Sequence, residues 1–367
     1  MRDFFALGAA ERDYYWEMPA TARKTKKPRP VAPRYSVAEW YGKDITGMTP
    51  EERKSCGTLA AMQIKAATGA ATKAPVCPFL STLIPNAKCH KRGGVCSIRK
   101  YAQGEHGIGV AVEGDKIVTT CPSRFIQDIE EGKSVFVWVS EKMLDIANPT
   151  IVKETPFLRK LSEAAVAVTE LEVKDDDQGD DEEHKAGRID WIVVNPHTMT
   201  ATDLQWAAVE TQALYFSGGK MIVEFDAYAK DPSPVLFPLG KRRPDYRSSG
   251  PKRLSPQLDV KVPVLVSWGK KVAVVIDRFF YENMSRLDEA YSGSNEKAKR
   301  DNSTVVWFIV DYGEDMKLKA HAVRYTTLES SRKALNATEP LAKSDFTDNL
   351  KAVIGNAAKA NKVFKVS

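Results

Sequence analysis

Four of the five cysteines in this 367-residue chain fall in one short stretch, and this grouping limits the fold more than any other feature. An odd number leaves at least one cysteine unpaired, and intracellular chains rarely contain disulfide frameworks. Grouped thiolates favour zinc or iron in tetrahedral geometry. We therefore expect a structural metal site, with iron or zinc, formed by Cys77, Cys89, Cys96 and Cys121.

The residues around these cysteines fit a metal site, although a second interpretation stays open. Gly93 and Gly94 precede Cys96 and allow the backbone to turn tightly around an ion. His90 is a further candidate ligand, and Cys56, which lies apart from the group, is expected to be structural. The alternative is that the four are ordinary core residues, because cysteine is often buried.

Basic residues are concentrated in two segments of an otherwise balanced chain. Lysine and arginine number 54 against 48 acidic residues, a net charge of +6. The basic segments lie at 23–34 and 241–253, and acids are concentrated at 175–183. Such clusters on a nearly neutral background favour a surface that binds a polyanion. The alternative is a solvated tail and a solvated loop.

The composition excludes a disordered chain and gives no sign of a membrane segment. Hydrophobic residues make up 43% of the chain, which is enough for a packed core. No apolar run approaches the ~20 residues that a membrane-spanning helix needs. The first residues include acids where a secretory signal has an apolar core. We expect a cytoplasmic protein.

The pattern along the chain predicts four regions. We expect a basic arm and helical region at 1–75, a four-cysteine metal-binding knuckle at 76–125, a core at 126–330 and a tail at 331–367. Two or three domains would be ordinary for this length.

Within the core, the hydrophobic pattern predicts an α/β arrangement around a mixed sheet. Helices are expected at 155–165 and 217–229. Residues 230–263 contain seven prolines, which predicts a long loop rather than a helix or a central strand. Short apolar or alternating runs, which suggest strands, occur at 135–139, 165–173, 188–194, 204–212 and 305–312.

Two of these strands carry acidic residues that could hold a divalent cation. Residues two apart on a strand point to the same face, so Glu210 and Gln212 project together. Asp190 can reach the same face if its strand, 188–194, lies next to the strand 204–212 in the sheet. Two carboxylates and an amide oxygen suit Mg²⁺ and metal-assisted phosphodiester hydrolysis. Because acids at such spacings are common, the alternative is an ordinary exposed strand face.

The four clustered cysteines, followed along the chain by Asp190, Glu210 and Gln212, resemble a pattern of the NotI-type restriction endonucleases. That family belongs to the PD-(D/E)xK nuclease superfamily. The similarity covers roughly residues 75–220, with weaker similarity around 305–315. The matching stretches are Cys77-Pro-Phe-Leu, Cys89-x-Lys, Gly94-Val-Cys96, Cys121-Pro-x-Arg, Asp190-Trp191 and Glu210-x-Gln212 followed by Phe216.

The resemblance implies a role for each of these residues. It implies a restriction-endonuclease-like core in which Asp190 and Glu210 bind Mg²⁺ and Gln212 replaces the usual lysine. Glu170 is the best match for an additional upstream glutamate. The resemblance also implies iron on the four cysteines, in a small subdomain apart from catalysis. Homodimers and GC-rich palindromic targets are further implications.

The sequence therefore predicts a type II restriction endonuclease that hydrolyses double-stranded DNA with Mg²⁺. The alternative is a sequence-specific DNA-binding protein with a four-cysteine metal knuckle and a non-catalytic nuclease-like domain. In either case the expected DNA contacts are basic residues of the proline-rich segment and the knuckle, namely Arg242, Arg243, Lys252, Arg253, Lys91 and Arg92.

Overall fold

The computed structural model describes residues 31–66, 74–158, 187–313, 315–336, 341–356 and 363–364. The chain from Pro33 onward forms one compact unit, and almost all of Met1–Ala32 lies outside the described residues. The contacts divide the chain after Ala32 rather than at 75 or 125, and the four-region division stays a prediction.

The described residues contain strands and helices in alternation. The strands are β1 (Arg34–Trp40), β2 (Lys43–Asp44), β3 (Val95–Gln103), β4 (Gly109–Ala111), β5 (Val118–Thr119), β6 (Asp128–Glu130), β7 (Lys133–Ser134), β8 (Thr150–Pro156), β9 (Arg188–Val194), β10 (Trp206–Thr211), β11 (Tyr215–Ser217), β12 (Arg243–Asp245), β13 (Val272–Asp277), β14 (Val305–Tyr312) and β15 (Leu318–Thr326). The helices are α1 (Pro50–Lys65), α2 (Val135–Leu144), α3 (Ile222–Lys230), α4 (Tyr246–Ser249), α5 (Ser255–Ser267), α6 (Arg278–Glu282), α7 (Glu296–Asn302), α8 (Leu328–Asn336) and α9 (Lys343–Ile354).

A mixed six-stranded sheet forms the centre of the unit, with strand order β15-β14-β13-β10-β9-β8. The pairs β8–β9, β9–β10 and β14–β15 are antiparallel, whereas the pairs β10–β13 and β13–β14 are parallel. β13 and β14 read as continuous apolar runs because both faces of the sheet are covered. The predicted mixed α/β class is confirmed.

Helices pack on both faces of this sheet. Leu258 and Leu265 of α5 belong to the same hydrophobic core as Val274, and Phe136 of α2 lies in a second core with Val275. Successive strand residues point to opposite faces, which is why neighbours such as Val274 and Val275 enter different cores. The central sheet is therefore the middle layer of three.

A second sheet has strand order β2-β1-β3-β4, with β5 also paired to β3. Helix α1 lies between β2 and β3 in the chain and begins at a capping box, in which Thr49 and Glu52 each bind the other's backbone N–H. Cys96 is the second residue of β3, so the cysteine-rich stretch contributes directly to this sheet.

Several sequence predictions are confirmed here and others need correction. The strands predicted at 188–194, 204–212 and 305–312 are present, as is a helix close to 217–229. Residues 135–139 form the start of a helix rather than a strand. The hydroxyl of Ser134 caps that helix by accepting a hydrogen bond from the N–H of Val137 at 3.3 Å.

Two further predictions concern the region before β9. A strand, β8, covers the beginning of the segment 155–165 that was predicted to be helical. Residues 157 and 158 are described and belong to no helix, whereas 159–165, the strand predicted at 165–173 and Glu170 lie outside the described residues.

The prediction of a long loop over 230–263 holds for 231–242, which lie in no helix or named strand, but it is wrong from Tyr246 onward. The chain is helical almost continuously from Tyr246 to Ser267, through α4, a π-helical turn over Gly250–Leu254, and α5. Pro251 and Pro256 lie in first turns of these segments, where proline's missing N–H costs little. Counting prolines without regard to their positions gave the wrong result. Among the described residues, no helix has the length and apolar character to cross a membrane.

Candidate active site

Asp190 and Glu210 lie beside each other on neighbouring strands. β9 and β10 are antiparallel, with Val209 opposite Trp191. One residue further along this register, Glu210 comes next to Asp190. Val209 and Trp191 pack into the core on the α2 side, so the two acids point to the other face, where α5 packs.

The carboxylate of Asp190 is fixed by the residue after Glu210. The backbone N–H and the hydroxyl of Thr211 both donate to Oδ2 of Asp190, at 3.0 and 3.1 Å. Both hydrogen bonds that Asp190 accepts through its side chain are therefore made by one residue of the adjacent strand. This arrangement holds the carboxylate in one orientation.

Glu210 is almost completely buried and has one bound and one unbound oxygen. Its exposed fraction is 2%. Nζ of Lys261, from α5, donates to Oε2 at 2.7 Å, whereas Oε1 has no hydrogen-bond partner. Burial, followed by the charge of Asp190, raises the pKa of Glu210 to about 8, although Lys261 acts in the opposite direction.

Gln212 lies one residue beyond the end of β10, and its amide group binds the local backbone. Its backbone N–H donates to the carbonyl of Val275 at 3.0 Å. Its side-chain Nε2 donates to the carbonyl of Ala213 at 2.6 Å. Of the three residues predicted to form the site, only the two acids are brought together as a pair.

Lys261 is the residue of this site that the sequence interpretation missed. It lies on the buried face of α5 with Leu258, Val262 and Leu265, and a helical period through these positions was visible in the sequence. Because the segment 230–263 was predicted to be a loop, this helical spacing was not interpreted as a buried helix face.

The four clustered cysteines are all buried, with exposed fractions between 4% and 9%. Among the described residues, however, no group of three or more His, Cys, Asp or Glu side chains is arranged so that it could hold a metal ion. His90, the further candidate ligand, is exposed. Cys56 is half-buried and belongs to the edge of a hydrophobic core, as expected for a structural residue.

The cysteines nevertheless influence one another electrostatically. Burial, together with the nearby Cys121 and Cys77, raises the pKa of Cys89 to about 12. The pKa of Cys96 is also raised, first by burial and then by the nearby Cys121. Burial raises the pKa of Cys121 as well, and the nearby Cys77 acts in the same direction. The sulfur atoms are thus close enough to repel as thiolates.

Backbone N–H groups approach the sulfur atoms of this region. The N–H of Leu80 donates to Sγ of Cys77 at 3.4 Å. Backbone amides of Lys91 and Ser123 likewise lower the pKa of Cys89 and Cys121. Gly93 and Gly94 adopt positive φ angles of 81° and 66°, so the tight turn expected beside Cys96 is present.

Basic residues from two distant parts of the sequence meet at Tyr215. The guanidinium of Arg253 lies 3.5 Å from the centre of the Tyr215 ring, and Nζ of Lys91 lies 5.9 Å from it. Lys91 also donates to the carbonyl of Thr120 at 2.8 Å. β11, which contains Tyr215, follows directly after β10. We call Lys91, Tyr215 and Arg253 the basic-aromatic cluster.

The other predicted DNA contacts differ in their surroundings. Arg243 and Lys252 are exposed. Arg92 is exposed but donates to the carbonyls of Gln63 and Ala66 at the end of α1, where it caps the helix.

Arg242 is not available to DNA in this structure. Its side chain is fully buried and forms an ion pair with Glu224 of α3. The neighbouring backbone N–H groups of Leu239 and Gly240 donate to the same glutamate. The expectation that Arg242 contacts DNA disagrees with this burial, because the guanidinium serves the packing of α3.

Paired carboxylates on two adjacent strands of a mixed sheet form an arrangement that a metal-dependent nuclease could use. The comparison with known families agrees, since residues 61–325 match the family model of the restriction endonuclease NotI. The chain belongs to the NotI restriction endonuclease family. This membership makes it a restriction endonuclease, which is a deoxyribonuclease. No curated protein matches the chain.

Proposed function

We propose that the protein is a type II restriction endonuclease that hydrolyses phosphodiester bonds of double-stranded DNA with Mg²⁺. Asp190 and Glu210 are the proposed ligands of the ion, and the core is proposed to be of the PD-(D/E)xK type. Family membership supports the activity, and the geometry of the two acids supports the assignment of the site.

One observation carries the assignment. Asp190 and Glu210 share one face of the sheet, and Oε1 of Glu210 is buried without a partner. A buried polar atom left without a hydrogen bond costs free energy, so Oε1 is an oxygen that a bound ion or water would satisfy. Carboxylate oxygens are the ligands that Mg²⁺ prefers. The residues present therefore fit a divalent ion.

The chain's own residues would prepare this site before an ion binds. Thr211 orients Asp190, and Lys261 orients Glu210. A bound Mg²⁺ would supply the charge that polarises water and the scissile phosphate. Gln212 is neutral and cannot add to that charge, and its amide would act only by supporting the local backbone. Glu170 stays a proposed additional acid of the site.

The four cysteines are proposed to hold a structural iron or zinc ion. The family resemblance, the shared burial of the four cysteines and the N–H of Leu80 directed at Sγ of Cys77 support this proposal. Four thiolates would fill a tetrahedral shell and leave no open position, so the site would serve folding rather than catalysis. This region, 76–125, is proposed as the knuckle beside the core at 126–330.

The basic-aromatic cluster is proposed as part of the DNA-binding surface, together with Arg243 and Lys252. Lysine and arginine supply most of the affinity for phosphate, and an aromatic ring between two cations keeps them in place. Its position next to the end of β10 supports a role close to the acids.

We propose a homodimer that cuts a GC-rich palindrome, acting in the cytoplasm. One chain offers one Asp190–Glu210 pair, which can cut one strand, whereas a two-fold dimer supplies two sites in mirror register. Light scattering of the protein on its cognate duplex should give two chains per DNA. A single chain that makes double-strand breaks in one encounter would exclude the dimer.

Cleavage of plasmid DNA tests the proposed function. Purified protein should cut plasmid and phage DNA in Mg²⁺ but not in EDTA, and sequencing of the ends should give one palindromic motif. Mn²⁺ serves as a second ion, because it accepts the same oxygen ligands. DNA left uncut in both ions, by protein that still binds it, would contradict the proposal.

A second candidate function has one observation in its favour. Lys261 already occupies Oε2 of Glu210, and a fixed cation beside a carboxylate competes with a metal ion. A non-catalytic, sequence-specific DNA-binding protein would show this arrangement without an active site. Such a protein would shift a defined DNA fragment on a gel and never cut it in Mg²⁺.

A further inference from the structure

Lys261 is a lysine where the packing of the helix calls for an apolar residue. It is 0% exposed and lies on the face of α5 that otherwise buries Leu258, Val262 and Leu265 against the sheet. A methionine or leucine would fill the same space without a charge. Burying an ammonium group is costly unless it is paired, and apolar replacements of buried ion pairs are often neutral or stabilising. Stability alone therefore does not account for this lysine.

Lys261 contacts the carboxylate of Glu210, whose second oxygen, Oε1, has no hydrogen-bond partner. Its Nζ lies 2.7 Å from Oε2 of Glu210 and 3.5 Å from Oε1 of Gln257, one helical turn away. Gln257 and Glu210 thus hold the ammonium group from two sides. The contact fixes the carboxylate plane and leaves Oε1 without a partner.

The strand itself supplies no cation at this site. Gln212, where most nucleases of this superfamily have lysine, is neutral and directs its amide to the carbonyl of Ala213. Asp190 and Glu210 are acids on adjacent strands, and negative charges on neighbouring groups repel each other. A positive charge at this point must come from another element, and among the described residues Lys261 is the one that contacts Glu210.

We propose that Lys261 is the positioning lysine of this active site, delivered from helix α5 in place of a lysine on β10. It holds Glu210 with one oxygen bound and the other presented to a metal ion, and its charge offsets the repulsion between the two acids. Because Lys261 is fully buried, it acts through Glu210 rather than on DNA directly. This proposal rests on the proposed nuclease function.

Substitution of Lys261 tests the proposal in the full-length protein. Lys261→Gln keeps a hydrogen-bond donor but removes the charge, Lys261→Met removes both, and Lys261→Arg keeps both. Arg124→Met is the matched control, because Arg124 is also buried and pairs with Glu39 at 2.8 Å, outside the proposed site. Thermal unfolding identifies which variants are folded.

Three readouts separate positioning from a merely structural role. Lys261→Gln and Lys261→Met should cut at least about 100-fold more slowly per folded molecule and need several-fold more Mg²⁺ for half-maximal rate. Their binding to DNA in EDTA should stay within about threefold of wild type, since phosphate affinity comes from other residues. Lys261→Arg should recover at least about tenfold over Lys261→Gln. Arg124→Met should lose stability but keep its cleavage rate per folded molecule.

Each remaining outcome counts against the proposal. Folded Lys261→Gln that cuts within about threefold of wild type, with an unchanged Mg²⁺ requirement, would overturn it while leaving the nuclease function intact. Failure of all three Lys261 variants to fold would assign the lysine to stability and would also overturn it. Wild-type protein that does not cut DNA in Mg²⁺ or Mn²⁺ would contradict the proposed nuclease function. Because the role of Lys261 rests on that function, it would be contradicted as well.

Discussion

Thr211 binds one oxygen of Asp190 twice, through its backbone N–H at 3.0 Å and its hydroxyl at 3.1 Å. These two bonds join β10 to β9 at the point where both carry an acid of the candidate site. The backbone bond follows from the strand register, whereas the hydroxyl bond depends on the choice of threonine.

Loss of the Thr211 hydroxyl should reduce cleavage without abolishing it. Thr211→Val keeps the shape and the N–H bond, and a hydrogen bond to a charged group contributes about 1.5 kcal/mol. We expect a rate about tenfold lower for Thr211→Val and near wild type for Thr211→Ser. Single-turnover cleavage in saturating Mg²⁺ measures both. Equal rates for the two variants would mean that the hydroxyl does not orient Asp190.

The stability of the metal-free protein should depend on pH through Glu210. The pKa of this residue rises from its usual 4.5 to about 8 in the folded state. Between these values the folded protein holds a proton that the unfolded chain has lost. The free energy of unfolding therefore falls as the pH rises through this window.

Urea unfolding in EDTA at pH 5 and pH 8 measures this effect. Glu210→Gln should show a smaller loss of stability between the two pH values than wild type. An identical pH dependence in both proteins would mean that Glu210 has an ordinary pKa.

The basic-aromatic cluster should contribute to DNA binding of any sequence. Arg253→Ala and Lys91→Ala should each weaken binding to specific and non-specific duplexes alike and reduce the salt slope by about one, if each contacts one phosphate. Lys297→Ala is the control, because this exposed lysine pairs within its own helix with Asp301. Filter binding across a salt series gives the slopes. Unchanged slopes in both cluster variants would remove these residues from the DNA-binding surface.

Arg242, in contrast, should matter for folding. Arg242→Ala would leave Glu224 buried without its cation, a loss that typically costs about 3–5 kcal/mol. The salt slope of the folded fraction should not change. This contrast separates a buried arginine from an exposed one within the same basic segment.

The four-cysteine region should lose metal and stability together. Cys89→Ser is expected to lower the melting temperature and the metal content, because a closed thiolate site contributes to folding. Cys56→Ser, which changes a cysteine outside the group, should have neither effect. Elemental analysis of wild type should give about one iron or zinc per chain. Wild-type protein purified without chelators and free of both metals would contradict the assignment.

Much of the central sheet could be predicted from the sequence. β9, β10 and β14 are short, strongly apolar runs, and this local pattern is enough to define a strand. The pairing of Asp190 with Glu210 depended on these two strands being neighbours, and the structure shows that they are.

The errors arose where local signals compete. The run 135–139 is apolar throughout, and a buried helix and a buried strand look alike over so few residues. In the segment 230–263, Pro251 and Pro256 lie in first turns, where helices tolerate proline, and α5 also accommodates Pro263 in its interior. Lys261 was missed for the same reason, and so was its contact with Glu210. A pair 51 positions apart in sequence is determined by tertiary packing.

Substitution of the two acids tests the central claim most directly. Asp190→Asn and Glu210→Ala are compared with wild type for cleavage of a duplex containing the cognate site in Mg²⁺, and for binding of that duplex in EDTA. We predict that both variants bind within a few-fold of wild type and do not cut, since phosphate affinity comes mainly from lysine and arginine. Cleavage near the wild-type rate by both variants would contradict the assignment of the active site to Asp190 and Glu210.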